Sequence, residues 1–381
     1  MALRTVGQAL ERRRNNFNLC RMAGALFIVF GHAMLIAGVD RYYNTRDPFL
    51  VSVLVFVGNA VLRLFFVFSG FMVAMSLDRR NSLCAYAAAR MMRILPPLLL
   101  VSAVLAFIVG PLVTSLPTAA YFTRGETWAY LPLAGSGLFV PDLPGVFEAV
   151  PRPTRIDPPL WTLLYEIICY VALAILAAIG GLSRTRLPWV LLVAAVAYLG
   201  IALATDLRQI EFYDAMTGFG SSFLIGVAIY HYRSHIPLAL WPVALLGALT
   251  VLSRGTPWIE PASTLALATL GLWVALVPKG RILAYNRVGE LSYALYIWHW
   301  PVGQVLVSLW PGLSGSALFT LMVLITVPIT LLSWMIVELP ALRRVPAVAN
   351  WFARATARLP RPAYWRSRTR LLPPGARGAA T

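Results

Sequence analysis

Residues 20–39 of the chain read CRMAGALFIVFGHAMLIAGV, an apolar stretch of the length that a helix needs to cross a bilayer, about 20 residues. Its basic side chains, Arg21 and His32, stand eleven residues apart. Because three helical turns take about 10.8 residues, both lie on one face, with His32 about 16 Å further along the axis. Ionisable groups within a membrane are costly and by default mark functional sites. The stretch predicts a membrane helix whose arginine holds an anion and whose histidine holds or moves a proton; the alternative is a histidine that serves packing.

The composition indicates a polytopic membrane protein. Of 381 residues, 59% are hydrophobic and 12% are charged, against about 45–50% and 25% in soluble domains. The three cysteines have no metal-ligand spacing, so neither a disulfide framework nor a metal site is predicted. We predict an all-α fold in which residues 1–340 form one membrane domain of about ten transmembrane helices. The predicted spans are 19–39, 55–77, 94–113, 159–180, 187–205, 214–232, 236–253, 260–278, 291–310 and 316–339.

The distribution of positive charge predicts the orientation. With ten spans, both termini lie on one side of the membrane. The segments on that side hold 23 lysines and arginines, and the segments on the other side hold 7. Since cytoplasmic segments carry the excess of positive charge, both termini are predicted to be cytoplasmic.

Two longer segments lie outside the predicted helices. Residues 114–158 form an external loop rich in proline and glycine, too weakly patterned for a domain and typical of a lid or binding loop. Residues 341–381 carry nine arginines and no acid. Beside a membrane domain, this basic tail favours anionic lipid over nucleic acid as its partner. We expect a largely disordered cytoplasmic tail with a short interfacial helix at 350–359.

Arg90 and Arg93 precede the third span on its predicted cytoplasmic side. Residues three apart are neighbours on a helix, and arginine suits bidentate contacts to phosphate. With Arg21 at the same membrane edge, the three arginines are predicted to converge on one phosphorylated ligand. The alternative interpretation is the positive charge that ordinarily flanks such helices.

The fourth span begins with PLWTLLYE at 159–166. Glu166 lies well inside the span and, by helical rise, at a depth similar to that of His32. We therefore predict that Glu166 orients the imidazole of His32. Asp157 is placed to cap the helix. Trp161 and Tyr165, one turn apart, indicate either a surface on which a sugar stacks or interfacial belt residues.

Two further motifs complete the pattern. FFVFSGF at 65–71 predicts close helix packing through its small residues, and no adjacent sequence supplies a base for a serine nucleophile. In SYALYIWHWP at 292–301, Ser292, Tyr296 and His299 form one polar stripe. For His299 we favour a structural or ligand-orienting role over a catalytic one. Glu338, which closes the tenth span, is expected to pair with one of the arginines.

Taken in order, these motifs resemble the acyltransferase-3 family of integral-membrane acyltransferases, which modify bacterial surface sugars and some secreted metabolites. The resemblance runs from Asn15 to Pro340 and includes the terminal VELP at 337–340. It implies a multi-pass protein of the bacterial inner membrane that moves an acyl group, usually acetyl, from cytoplasmic acyl-CoA to a hydroxyl at or beyond the outer face. The family pattern assigns catalysis to His32, assisted by Arg21, and links Arg90 and Arg93 to the donor.

The expected mechanism combines this resemblance with the chemistry of the residues. Arg21, Arg90 and Arg93 bind the phosphates of acyl-CoA, a substrate and not a permanently bound cofactor. His32 acts as general base toward the acceptor hydroxyl, and Glu166 stabilises the imidazolium; the alternative is an acylated His32. The expected acceptor is a carbohydrate or lipid-linked sugar, with a secreted small molecule such as a macrolide as the alternative. The residues expected to bind the acceptor are Trp161, Tyr165, Ser292, Tyr296 and His299.

Two other classes of protein fit part of the pattern. A proton-coupled transporter would also use membrane histidines and a glutamate as a relay, but transporters usually show internal repeats and none is evident. A glycosyltransferase acting on lipid-linked sugars would account for Asp40 and Asp47 in the first external loop. It would not account for Arg90 and Arg93 on the opposite side.

Overall fold

A computed structural model describes residues 4–11, 15–38, 48–148, 150, 156–277 and 280–357, with backbone alone at 48–55. Asp40 and Asp47 and the tail from 358 onward lie outside the described residues. Within the described part the structure is helical, and two isolated bridges, Thr5–Pro237 and Thr114–Val146, are its extended pairings. The predicted all-α class is confirmed.

Within the described residues ten principal helices follow one another, and each overlaps one of the predicted spans. Their bounds are α1 Phe17–Ile36, α2 Pro48–Arg80, α3 Leu83–Val104, α4 Trp161–Ala178, α5 Leu187–Leu203, α6 Ser221–His231, α7 Trp241–Leu252, α8 Ile259–Leu276, α9 Ser292–Leu309 and α10 Gly315–Ser333.

Seven helical segments in the described part are long and apolar enough to cross a membrane; they contain α1, α2, α3, α4, α6, α8 and α10. Helices α5 and α7 are apolar but have only 17 and 12 residues. Helix α9 has 18 residues and is not among the seven. The chain is therefore a multi-pass membrane protein. The number of ten spans and the cytoplasmic side of the termini stay predictions.

In the described part of the chain, π-helical turns interrupt three of the long helices: Leu105–Val109 after α3, Met216–Gly220 before α6 and Trp334–Glu338 after α10. Each inserts one extra residue into a helical turn, a feature that is frequent at functional sites. Thus α3, α6 and α10 each continue through a change of helical phase.

The segment 114–158 differs from the prediction of a loop without clear secondary structure. It contains two helices, Thr118–Thr123 and Gly125–Gly135. Tyr121 is fully buried, and its hydroxyl donates to the carbonyl of Ala106 in the first π turn at 2.9 Å. Burial of this phenol anchors the segment on the membrane helices. The proline- and glycine-rich sequence does not indicate this contact.

The tail begins with an ordered helix. Helix α11, Val345–Ala355, replaces the predicted helix at 350–359. It packs Val345 and Ala349 against Ala88 and Ala89 of α3, while Trp351 is 64% exposed. Contact with α3 explains why the helix begins earlier than the sequence indicated.

Helices α2 and α6 cross at glycines. A Cβ built on Gly70 would lie 2.0 Å from the carbonyl oxygen of Phe223, and one built on Gly226 would lie 2.0 Å from that of Val67. No side chain fits between the two backbones, so the packing role predicted for FFVFSGF is supported by this crossing. The crossing leaves the neighbouring Ser69 to face a polar cavity.

Candidate active site

His32 of α1 and His299 of α9 form a hydrogen-bonded pair. The Nδ1 atom of His32 lies 2.7 Å from Nε2 of His299. The ring centroids are 5.0 Å apart and the ring planes differ by 6°. Since that separation equals about the N–N distance plus one ring radius at each end, the rings lie edge to edge in nearly one plane. The rings of Trp300 and His32 pack edge to face, with their centroids 5.0 Å apart.

The backbone of α9 determines the direction of this hydrogen bond. Nδ1 of His299 lies 2.6 Å from the carbonyl oxygen of Tyr296 and 3.2 Å from that of Leu295. Carbonyl oxygens accept, so this nitrogen carries the proton, and in a neutral imidazole Nε2 then accepts. The proton between the rings therefore belongs to Nδ1 of His32, and the lone pair of a neutral His32 is on Nε2. His299 thus fixes the tautomer that a general base requires.

A narrow polar cavity lies between α1, α2, α4 and α9. Its volume is about 70 Å³, enough for about two water molecules. The polar side chains that line it come from all four helices: Arg21, Ser69, Thr162, Glu166, Ser292, Tyr293 and Tyr296. The structure thus brings Arg21 and Glu166 of the predicted catalytic set together, along with two of the predicted acceptor-binding residues.

Glu166 does not occupy the position predicted for it. Its Oε1 accepts from Ser69 at 3.2 Å and also from the hydroxyl of Tyr170. His32 is hydrogen-bonded to His299. The partner that the sequence predicts is Glu166. Glu166 lines the polar cavity together with Arg21, and the histidine pair is not part of that lining.

The arginines of the third helix have different surroundings. Arg93 donates to the carboxylate of Glu338 at 2.9 Å and also binds the carboxylate of Glu290. The rings of Tyr293 and Trp334 flank it, with centroids 5.6 and 5.7 Å from the guanidinium. The expected pairing of Glu338 with an arginine is confirmed. Arg93 is thus held by two carboxylates, an unexpected arrangement for a residue predicted to bind phosphate.

Arg90 is bound less tightly. Its guanidinium lies 5.7 Å from the centroid of the Tyr170 ring, and its buried Nε has no hydrogen-bond partner among the residues that the structure describes. Arg21 contacts Glu290 at 3.3 Å. Glu290 therefore joins Arg21 to Arg93, and Tyr170 joins Arg90 to Glu166, which lines the same cavity as Arg21. We call the three predicted arginines the arginine cluster.

The predicted acceptor-binding residues separate into two groups. Ser292 donates to Glu290, and the hydroxyl of Tyr296 donates to the carbonyl of Pro159 at 2.8 Å and lies 2.9 Å from the hydroxyl of Thr162. Tyr165 is 4% exposed and packs against Phe219 with Trp161. In this conformation no open sugar-stacking surface is formed by Trp161 and Tyr165.

Asp157 precedes the helical turn Pro158–Leu160, but the side chain makes no cap hydrogen bond. The predicted cap is wrong. The residue is fully buried, and neither carboxylate oxygen has a hydrogen-bond partner in the described part of the chain. Burial raises the pKa of this carboxyl well above its ordinary value.

Sequence reasoning missed Glu290, Ser69 and Tyr170. Glu290 immediately precedes the Ser292 motif, and Ser69 was assigned to packing. Tyr170 lies four residues after Glu166 on the same helix face, a spacing that could have predicted the contact. Among the described residues no group of three His, Cys, Asp or Glu side chains is arranged to hold a metal ion.

The order of these residues along the chain is matched by a family model described as an acyltransferase domain, over residues 14–338. The chain belongs to the acyltransferase-3 family. This acyltransferase is 26% identical over 370 residues to nodulation protein 10 of Rhizobium leguminosarum bv. viciae, covering 87% of the chain and 94% of the relative. It is 24% identical over 336 residues to the O-acetyl transferase of Shigella phage Sf6, covering 86% and 95%. No solved structure gives a significant match. The protein is an O-acyltransferase.

Proposed function

We propose that the protein transfers an acetyl group from cytoplasmic acyl-CoA to a hydroxyl of an envelope or exported sugar, with His32 as general base. The observation that carries this proposal is the His32–His299 pair. In the proposed step Nε2 of His32 takes the proton of the acceptor hydroxyl, and the acceptor oxygen attacks the thioester carbonyl. The C–S bond breaks, and the proton passes from His32 to the departing thiolate of coenzyme A.

His299 orients the imidazole of His32 and stabilises its imidazolium, a role that the sequence predicts for Glu166. As His32 becomes an imidazolium, its Nδ1–H donates to Nε2 of the neutral His299, whose own proton on Nδ1 is held by two backbone carbonyls. His299 therefore stabilises the positive charge of His32 without taking its proton, as the third member of a triad does. His299 acts as a positioning residue. In the alternative chemistry Nε2 of His32 is the atom that becomes acylated.

The cavity supports a donor that enters from the end marked by the arginine cluster. We propose that Arg21 and Arg90 contact the anionic part of acyl-CoA, because Arg93 is already held by Glu290 and Glu338. Glu166, Ser69 and Tyr170 would then line the path of the acyl-bearing arm toward His32. The cavity must widen for this, since 70 Å³ is smaller than a thioester arm needs.

The test is transfer of labelled acetyl from acetyl-CoA in membranes that contain each variant. His32→Ala should lower the rate by about 10²–10⁴. His299→Ala should cost less. His299→Gln should recover part of the loss, because its amide oxygen can accept from Nδ1 of His32. If His32→Ala kept near-full activity while His299→Ala abolished it, His32 would not be the base.

The acceptor class is tested by mass spectrometry of surface glycans and secreted metabolites from cells with and without the gene. An acetyl-sized mass difference in a glycan is the expected result. The same difference in a secreted small molecule, such as a macrolide, would replace the sugar acceptor.

A further inference from the structure

A second cavity, of about 750 Å³, lies between α4, α5, α6 and the start of α8, and its residues on α4 come after those that line the polar cavity. Along α6 and the π turn before it, the lining runs from Met216 to Tyr232, about 24 Å by helical rise. That length covers most of a hydrocarbon core of about 30 Å. We call this cavity the α4–α6 crevice.

The walls of the α4–α6 crevice are predominantly apolar. The lining is aliphatic and aromatic apart from a few polar groups, and three of its hydroxyls donate to backbone carbonyls. Thr217 donates to Tyr213 at 2.6 Å, Tyr198 donates to Pro257 at 2.8 Å, and Ser221 donates to Thr217. Val193 of the lining is 68% exposed, so the crevice is open at the outer surface of the helices. An apolar chain is therefore the occupant that matches these walls.

One end of the crevice carries a balanced set of charges. Glu260 pairs with Arg63 at 3.1 Å and with Arg208 at 3.2 Å, and Arg208 also pairs with Asp214 at 3.3 Å. Glu260 precedes Pro261, which lines the crevice. Two cations facing two anions leave no excess positive charge for a phosphate. Partly exposed carboxylates and guanidiniums instead suit the hydroxyls of an uncharged sugar.

Phe219 connects the crevice to the polar cavity through its neighbours. It belongs to the π turn whose Met216, Thr217 and Gly220 line the crevice. Its ring stacks on that of Phe66, a residue of the polar cavity, with centroids 4.5 Å apart. The π turn thus contacts both the apolar crevice and the polar cavity.

We propose that the α4–α6 crevice binds the hydrocarbon chain of a membrane-anchored glycosyl acceptor. The sugar of that acceptor lies at the Arg208–Glu260 end, beside Phe219. The inference rests on the proposed transfer to a sugar hydroxyl and specifies that the acceptor is amphiphilic. The crevice adds a chain-binding site to the donor and catalytic groups.

The first test uses hexyl, dodecyl and hexadecyl glucosides as acetyl acceptors in lipid nanodiscs. The acceptor KM, expressed as the mole fraction of glucoside in the nanodisc lipid, should fall roughly tenfold or more from the hexyl to the hexadecyl compound, since each added methylene gains packing contacts in the crevice. The double variant Ala172→Phe with Ala194→Phe, which fills the crevice, should lose this dependence on chain length. The matched control is Val171→Phe with Val196→Phe, on the same helices at lipid-exposed positions outside the lining, and it should keep the dependence. A KM independent of chain length in the wild type, or dependence retained in the filled variant, would overturn the proposal.

The second test does not need catalysis. A hexadecyl glucoside with a diazirine in its chain should crosslink to α5 or α6, and excess hexadecyl glucoside should compete while phosphatidylglycerol should not. Equal competition by phosphatidylglycerol, or labelling spread evenly over the lipid-facing surface, would show an ordinary lipid groove. If no glucoside accepted acetyl but the specific crosslink persisted, the proposed function would fail and the crevice assignment would stand.

Discussion

The two arginines of the third helix, which look equivalent in the sequence, have different surroundings in the fold. Arg93 bridges two carboxylates, and Glu338 is only 1% exposed. Removing one partner of a buried ion pair costs about 3–5 kcal/mol, because the other charge is left unpaired. Arg90 has no salt-bridge partner among the ion pairs of the described residues.

We therefore expect Arg93→Ala to unfold the protein at a markedly lower temperature, and Glu338→Gln in that background to restore part of the loss. Arg90→Ala should change the unfolding temperature little while weakening coenzyme A binding, and Arg90→Lys should recover binding in part, because lysine lacks the bidentate fork. Thermal unfolding in detergent and titration calorimetry measure the two quantities. Equal loss of stability in both alanine variants would contradict this division of roles.

A second prediction at the scale of the residue concerns Asp157. In the unfolded chain its carboxyl loses a proton near pH 3.9, whereas burial raises its pKa in the fold. The folded state therefore holds the proton more strongly, and the stability present at low pH is lost as the pH rises through this range. Asp157→Asn should raise the unfolding temperature at pH 8 more than at pH 4. The exposed Asp206→Asn is the control and should show no such trend. A gain that is equal at both pH values would argue against a buried acid.

At the scale of the element, the crossing of α2 and α6 allows a sharp comparison within one helix. Gly70→Ala must push two backbones apart, and overpacking of this kind costs at least about 1–3 kcal/mol. Gly58→Ala, also in α2, has nothing within 4 Å of the added Cβ and should be neutral or stabilising by up to about 1 kcal/mol. Size-exclusion profiles after heating report the difference. A Gly70→Ala variant as stable as Gly58→Ala would mean that the helices do not cross at these glycines.

The elements also show where sequence patterns suffice. Apolar length alone located the cores of α1 to α10, because it reports burial in lipid directly. The resemblance to the family and the estimate of depth together put Arg21 and Glu166 in one catalytic set, and both line the polar cavity. The His32–His299 contact was not predictable in this way, since it depends on how α1 and α9 pack, and no spacing along one helix contains that information. The same limit applies to Glu290 and to the burial of Tyr165.

At the scale of the whole molecule, the predicted orientation needs its own test. In a variant without Cys20, Cys84 and Cys169, single cysteines are introduced at Phe139 and Ile282, which are 58% and 52% exposed. A membrane-impermeant maleimide added outside the cell should label position 139 and should reach position 282 only after permeabilisation. The reverse result would invert the membrane sides of the donor and the acceptor.

The π turn at Trp334–Glu338 has a consequence that concerns helical phase. Along α10 the fully buried side chains follow steps of four, four and three residues, through Met322, Thr326, Thr330 and Ser333. The next inward position of a regular helix is 337, a valine, but the extra residue of the π turn advances the phase so that Glu338 points inward instead. A single inserted residue thus exchanges a methyl-bearing side chain for a carboxylate opposite Arg93. The negative charge beside Arg93 depends on this one extra residue.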